Sequence, residues 1–340
     1  MLAVLLNIVG ASKYVRVCYF TNWAQYRKPG AKFTADNIDP FLCTHIAYAF
    51  AKITNGKLAM VEWNDAATYK KIVQMKTVNP ILKLLLAVGG WNHEGGAVSP
   101  FSKMVQTQNG INAFAADSIA FLRKYKFDGL DLDWEYPANR GNSPPVDKQK
   151  FTQLCKSLLD AFKAEALVSG KDRLLLTAAV AAGYQTIGTA YETDKLGKYL
   201  DILNLMTYDL HGSWDKKTGH HTSMKSSDKL SVVNGLNTWI NGDFPASKIA
   251  LGLATYGRSF TLTNINNNKL DATATAGAKQ QYTGESGFAS YYEVCILLKK
   301  GMKVTNDIAV KAPYGQLGNY WIGYDDEESL KTKVKELIIG

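Results

Sequence analysis

KFDGLDLDWEYP, residues Lys126–Pro137, carries four acids in a short span: Asp128, Asp131, Asp133 and Glu135. Leu130, Leu132 and Trp134 alternate with the last three. That period of two places Asp131, Asp133 and Glu135 on one face of a strand and the apolar residues on the other. Same-face neighbours on a strand lie roughly 7 Å apart, near enough for carboxylates to perturb one another. A solvated edge strand could carry three acids on one face, but Leu, Leu and Trp behind them argue for a strand inside the protein. Acids aimed into an interior are costly unless paired, protonated or used. The stretch therefore reads as a functional carboxylate set, with Trp134 in the core behind it.

The segments on either side repeat one rhythm. YVRVCYF (Tyr14–Phe20), THIAYAFAKI (Thr44–Ile53) and ILKLLLAVGG (Ile81–Gly90) read as strands before the acidic one. LLLTAAVAA (Leu174–Ala182), ILNLMTYDL (Ile202–Leu210) and KIALGLATYG (Lys248–Gly257) follow it. Helical patterns lie at about Asp65–Lys76, 110–125, Val146–Val168 and 228–241, the third opened by Pro144-Pro145. Near-continuous apolar strands alternating with helices predict a parallel sheet. Seven in series favour an α/β barrel over an open doubly wound sheet, and no glycine-rich dinucleotide fingerprint follows the first strand. From Ser259 to about Tyr320 the rhythm breaks into a small α+β insertion with a helix near Ala289–Lys300. A last amphipathic helix is expected at 325–337.

The chain has 340 residues, 46% apolar and 20% charged, an ordinary globular balance. Its formal charge of +9 is spread over scattered lysines rather than a dense basic run, so nucleic acid is not the expected partner. MLAVLLNIVGAS, residues 1–12, resembles the apolar core of a signal peptide, although no basic residue precedes it. A buried first strand is the alternative reading. No segment reaches transmembrane length. The four cysteines, Cys18, Cys43, Cys155 and Cys295, fit no metal motif. In a secreted chain at least one disulfide is expected, and Cys18 with Cys43, near the first two strands, are the natural pair. No metal or cofactor is expected. The sequence carries no oligomer signal, so a monomer is expected.

In order along the chain, YFTNWAQYR (Tyr19–Arg27), IDPFLCTHIAYAFA (Ile38–Ala51), LLAVGGWN (Leu85–Asn92), FDGLDLDWEYP (Phe127–Pro137), MTYDLHGSW (Met206–Trp214) and TYGRSF (Thr255–Phe260) resemble the motifs of glycoside hydrolase family 18. That family holds secreted chitinases and chitinase-like lectins. The resemblance, nearest to the animal secreted type, runs from Tyr14 to the C-terminus. It implies a TIM barrel over residues 14–340 with an α+β insertion after strand seven, at about 259–320. It also implies a Cys18–Cys43 disulfide. Glu135 corresponds to the general acid/base, Asp133 to the carboxylate that steers the substrate's acetamido group, and Asp131 to the partner sharing its proton. Tyr208 belongs with the catalytic set. Tyr19, Trp23, Trp91, Asn92, Tyr136, Met206, Asp209, Trp214, Tyr256 and Arg258 correspond to substrate-binding positions.

The implied activity is hydrolysis of β-1,4 bonds in chitin or N-acetylglucosamine oligosaccharides. In this family the 2-acetamido carbonyl takes the nucleophile's place. Glu135 must then begin protonated, a state favoured by the neighbouring negative charges. Sugar rings stack on indole and phenol faces, which suits Trp23, Trp91 and Trp214 at predicted strand ends. The chain departs from the family at its end. Nothing matches the eighth strand with its GGxMxW…D segment, so that strand is expected to be missing and strands one and seven to carry unpaired edges. Cys295 resembles a cysteine whose partner lies beyond that strand. The alternative expectation is a chitin-binding lectin or signalling protein with weak or no activity, although such proteins typically lose the catalytic Glu, which is present here.

Overall fold

The computed structural model describes residues 14–339; the expected signal peptide, residues 1–12, lies outside them. Eight strands form the first sheet: β1 (Val17–Thr21), β2 (His45–Thr54), β3 (Lys57–Met60), β4 (Lys83–Gly89), β5 (Gly129–Asp133), β6 (Leu175–Ala181), β7 (Ile202–Met206) and β8 (Ile249–Leu251). Seven of them run parallel in the order β1-β2-β4-β5-β6-β7-β8, while β3 pairs antiparallel with β2. The helices that return the chain are α1 (Asp65–Gln74), α2 (Pro100–Val105), α3 (Gln108–Tyr125), α4 (Asp147–Ser169), α5 (Tyr184–Ala190), α6 (Thr193–Leu196) and α7 (Val232–Asn241). The sheet curls as in an α/β barrel. Among the described residues no strand joins β8 to β1, so those two edges are unpaired within the sheet, as the missing eighth strand predicts.

Alternation along the strands separates the two sides of the curl. Leu84, Leu86 and Val88 of β4, Leu130 and Leu132 of β5, and Leu203 and Leu205 of β7 pack outward against the helices in one continuous core. Trp134 is buried there, stacked on Phe101 at 5.1 Å and edge-on to Phe151. The opposite face looks into the lumen and is lined by small residues: Ala47, Ala49 and Ala87 with Leu85. Ala87 stands in register with Asp131, and Asp131 with Thr177. Small neighbours leave the lumen room for carboxylates.

Helix boundaries follow local signals. Thr107 caps α3 by accepting from the Gly110 amide at 3.0 Å, and Lys126, in the left-handed region, ends it. Ser99 caps α2, with Pro100 at its first position. The hairpin β2–β3, not anticipated from the sequence, turns on Asn55-Gly56, both at positive φ. The stretch expected as one seventh strand divides. Ile249–Leu251 is β8, whereas Tyr256 onward pairs with the second sheet.

That second sheet is antiparallel: β9 (Tyr256–Leu262), β10 (Ala274–Ala276), β11 (Phe288–Ser290), β12 (Lys303–Asp307), β13 (Ala312–Leu317) and β14 (Tyr320–Tyr324), in the order β10-β9-β14-β13-β12 with β11 also on β9. Helix α8 (Tyr291–Lys299) crosses it, and α9 (Glu327–Val334) follows, continued by a turn of wider helix to Ile339. The α+β segment thus begins and ends a few residues outside the expected 259–320. Helix α9 is anchored by a buried ion pair in which Lys333 Nζ lies 2.6 Å from both carboxylate oxygens of Asp325.

Candidate active site

The carboxylates sit where β5 ends. Gly89, the last residue of β4, and Gly90 directly after it make this possible: both have positive φ, and a side chain at Gly89 would collide with the Asp133 carbonyl. The Gly90 amide donates to that carbonyl at 2.8 Å. Asp131 is fully buried and accepts from three strands: Tyr19 Oη at 2.7 Å, Thr177 Oγ1 at 2.5 Å and Asn204 Nδ2 at 3.0 Å. Burial pushes its pKa up against the pull of those donors.

Asp133 is also buried, and its Oδ1 has no hydrogen-bond partner. Burial, then the charges of Glu135, Asp131 and Glu94, push its pKa well above the usual carboxylate range. The expected sharing of a proton between Asp131 and Asp133 is not seen as a contact here, because Tyr19, Thr177 and Asn204 occupy Asp131. Glu135 lies two residues beyond the strand rather than on it, partly open to solvent. Burial raises its pKa to about 7, with Tyr136 and Arg140 pulling down and Asp209 and Glu94 pushing up. A carboxyl at about 7 can both give and take a proton near neutrality.

A second cluster comes from the loop after β7 and the start of β9. Asp209, at positive φ, receives a two-pronged contact from Arg258: Nε to Oδ1 at 2.6 Å and Nη2 to Oδ2 at 2.8 Å. Burial works against its ionisation, but hydrogen bonds from His221 and Arg258 outweigh that and hold its pKa below the ordinary value. The Tyr208 ring meets Tyr256 edge-on at 6.0 Å, and burial with the nearby charge of Asp133 raises the Tyr208 phenol pKa. Tyr208 is thus a neutral hydroxyl able to donate. Met206 ends β7 directly before this cluster.

The predicted stacking residues are exposed, as a sugar-binding role requires: Trp91 and Trp214 at 56% and Trp23 at 43%. Trp23 stacks on Phe50 at 5.9 Å. Asn92 shares an exposed turn with Trp91. The guanidinium of Arg140 lies 3.5 Å from the Trp91 ring centre and donates to the Trp91 carbonyl, while that of Arg258 lies 5.4 Å from Trp214. Cys18 and Cys43 form the expected disulfide; Cys155 and Cys295 are free.

Several residues around the acids and the exposed aromatics stand outside the sequence motifs. Trp63 is 85% exposed on the loop between β3 and α1. That loop is tied to the turn carrying Trp23 by Tyr26 Oη to Glu62 at 2.5 Å and by Asn64 Nδ2 to Gln25 at 2.7 Å. Buried Asp65 fixes it further by accepting from the Val61 and Glu62 amides. Thr177, Asn204, Glu94 and Arg140 stand in no motif with the acids and meet them only through folding. The one available signal was a Trp in a polar loop.

The family model described as "Glycosyl hydrolases family 18" matches residues 15–339. Chitotriosidase-1 of Mus musculus is 42% identical, across 98% of this chain and 72% of its own length. Chitinase-3-like protein 2 of Homo sapiens is 41% identical, across 98% and 85%. Among solved structures, an immunomodulatory active chitinase from Trichuris suis, TsES1, superposes with a TM-score of 0.90 at 39% identity, covering 95% of this chain and 88% of that one. Human YKL-39, described as a pseudo-chitinase with retained chitooligosaccharide binding properties, superposes with 0.89 at 40% identity, covering 95% and 89%. With the fold and the carboxylate row in agreement, the chain belongs to glycosyl hydrolase family 18.

Proposed function

We propose that this chain is a secreted, endo-acting chitinase that hydrolyses β-1,4 bonds between N-acetylglucosamine units with retention of configuration. The observation that carries the reading is Glu135, intact at the end of the acidic row with its pKa raised to about 7. Protonated Glu135 gives its proton to the leaving glycosidic oxygen as the substrate's acetamido carbonyl attacks the anomeric carbon. Asp133, with one oxygen free of protein partners, receives the acetamido N–H and offsets the positive charge that develops on the oxazolinium ion. Tyr208 donates to the acetamido oxygen. Asp131, held by Tyr19, Thr177 and Asn204, acts on Asp133 through its charge, which favours a raised proton affinity there. Glu135 then takes a proton from the incoming water, which opens the ring intermediate. Asp209 and Arg258, locked to each other, present polar groups to the sugar, and Trp23, Trp91 and Trp214 stack on its apolar faces. Tyr19, Asn92, Tyr136, Met206 and Tyr256 complete the binding surface.

Endo action is supported by exposed aromatics beyond the acids, Trp23 and Trp63, which suit a polymer threading past. Secretion is supported by the Cys18–Cys43 disulfide, a bond of oxidising compartments, and by the apolar residues 1–12. The similarity to human YKL-39, a pseudo-chitinase with retained chitooligosaccharide binding properties, favours a second reading, a chitooligosaccharide-binding protein with little turnover. Glu135→Gln separates the two. It is expected to abolish hydrolysis of a chromogenic chitobioside while oligosaccharide binding by calorimetry persists. Hydrolysis near the unsubstituted rate would end the assignment of Glu135.

A further inference from the structure

Asp65, the first residue of α1, is closed off from solvent and uses both of its oxygens on groups outside its own helix. Oδ1 accepts from the Tyr48 hydroxyl of β2 and, at 3.3 Å, from Asn22 Nδ2 in the turn after β1. Oδ2 accepts from the Val61 and Glu62 amides, at 2.8 and 2.9 Å, in the loop after β3. A buried carboxyl that gathers donors from three segments is costly to bury and costly to disturb. None of these donors belongs to α1, so the start of that helix does not account for the arrangement.

Each of the two loops tied by Asp65 presents an exposed indole, Trp23 after β1 and Trp63 after β3. Asn22 also donates to the Phe50 carbonyl at 3.2 Å, and the Phe50 ring stacks on Trp23. Nearer the surface, Gln25 and Asn64 exchange side-chain hydrogen bonds at 3.3 and 2.7 Å. Strand register puts both loops at the carboxylate end of the barrel. Thr21 pairs with Ala49, Ala51 pairs with both Met60 and Val88, and Gly89, next along β4, pairs with Asp133.

We propose that Asp65, with the Gln25–Asn64 pair above it, is a positioning residue that holds the Trp23 turn and the Trp63 loop in one frame, so that both indoles meet a single long oligosaccharide already ordered. The inference rests on the oligosaccharide-binding part of the function proposed above. Loops that carry large exposed side chains lose conformational freedom when a ligand settles on them, which weakens binding. Fixing them during folding moves that entropy loss out of the binding step. No acid of β5 is among the hydrogen-bond partners of Asp65. Its influence therefore falls on ligands long enough to reach both loops and leaves the chemistry at Glu135 alone.

The test compares Asp65→Asn with the unsubstituted protein, by calorimetry with an N-acetylglucosamine hexamer and dimer and by hydrolysis of a chromogenic chitobioside. Asn turns one of the two acceptor oxygens into a donor, and one side of the frame opens. Hexamer affinity is expected to fall about tenfold, while dimer affinity and chitobioside kcat stay within about twofold of the unsubstituted values. With the hexamer as substrate the loss should appear in KM rather than kcat. A merely structural role would lower Tm and keep the ratio of hexamer to dimer affinity, and that ratio unchanged in the folded variant overturns the proposal. Should Asp65→Asn fail to fold, Gln25→Ala combined with Asn64→Ala cuts the outer tie at half-buried positions. A fall of about fivefold in hexamer affinity is expected there, and an unchanged ratio again overturns the proposal. Calorimetry needs no turnover, so an unsubstituted protein that binds the hexamer without cleaving it ends the chitinase reading and leaves this inference to the affinity ratio. An unsubstituted protein that binds the hexamer no better than the dimer overturns the inference by itself.

Discussion

Replacing Glu135 by Gln is expected to stabilise the folded chain above neutral pH at the same time as it removes activity. The fold raises the Glu135 carboxyl from 4.5 to about 7, chiefly by burial. Between those values the folded state holds a proton that the unfolded chain has released, so stability falls as pH rises through the interval and is lower by a fixed amount beyond it. At 1.36 kcal/mol per pH unit, the loss is about 3 kcal/mol. Gln cannot ionise and escapes it. Urea unfolding of both proteins at pH 4.5 and pH 8 reads the effect, because titrating groups remote from Glu135 cancel in the difference and only neighbours that feel its charge, Asp133 first among them, add to it. The variant's advantage should grow by about 3 kcal/mol between the two pH values. An advantage equal at both would refute the reasoning, since it would show that the fold does not hold this carboxyl protonated.

The buried pair at α9 is expected to behave in the opposite sense. Lys333→Met leaves Asp325 charged and closed off from water and should cost about 3–5 kcal/mol, while Lys333→Met combined with Asp325→Leu should recover most of it; thermal unfolding of the single and double variants checks this. Replacing Cys18 and Cys43 by Ser releases a loop spanning 25 residues and should lower stability by about 3 kcal/mol, read as a Tm that no longer responds to reductant. Trp63→Ala should weaken binding of an N-acetylglucosamine hexamer roughly fivefold, about 1 kcal/mol, and leave a trimer almost unaffected. Calorimetry with both oligomers distinguishes loss of one distant stacking site from general damage.

Much of this molecule could be read along the chain because its signals are local. A period of two around Asp131, Asp133 and Glu135, apolar runs of strand length and helix-length spacers all report on neighbours in sequence. They led to the parallel sheet, the carboxylate row and the burial of Trp134. The Asn55-Gly56 hairpin was legible too, and was passed over beneath the longer strand before it. Strand seven was misjudged for another reason. Residues 248–257 are mostly apolar, with Lys248 and Thr255 as polar exceptions, and only the competition between β7 and β14 for backbone partners divides them.

What the tertiary structure alone decided is the state of each acid. Asp131 is held by Tyr19, Thr177 and Asn204 from three strands, Asp133 keeps an empty oxygen, and Glu135 lies between the charges of Arg140 and Glu94. Side-chain type and spacing determine which groups are available and which face they share. Their proton affinities depend on desolvation and on charges from distant segments, both of which vary steeply with distance and exist only once the chain has closed around them.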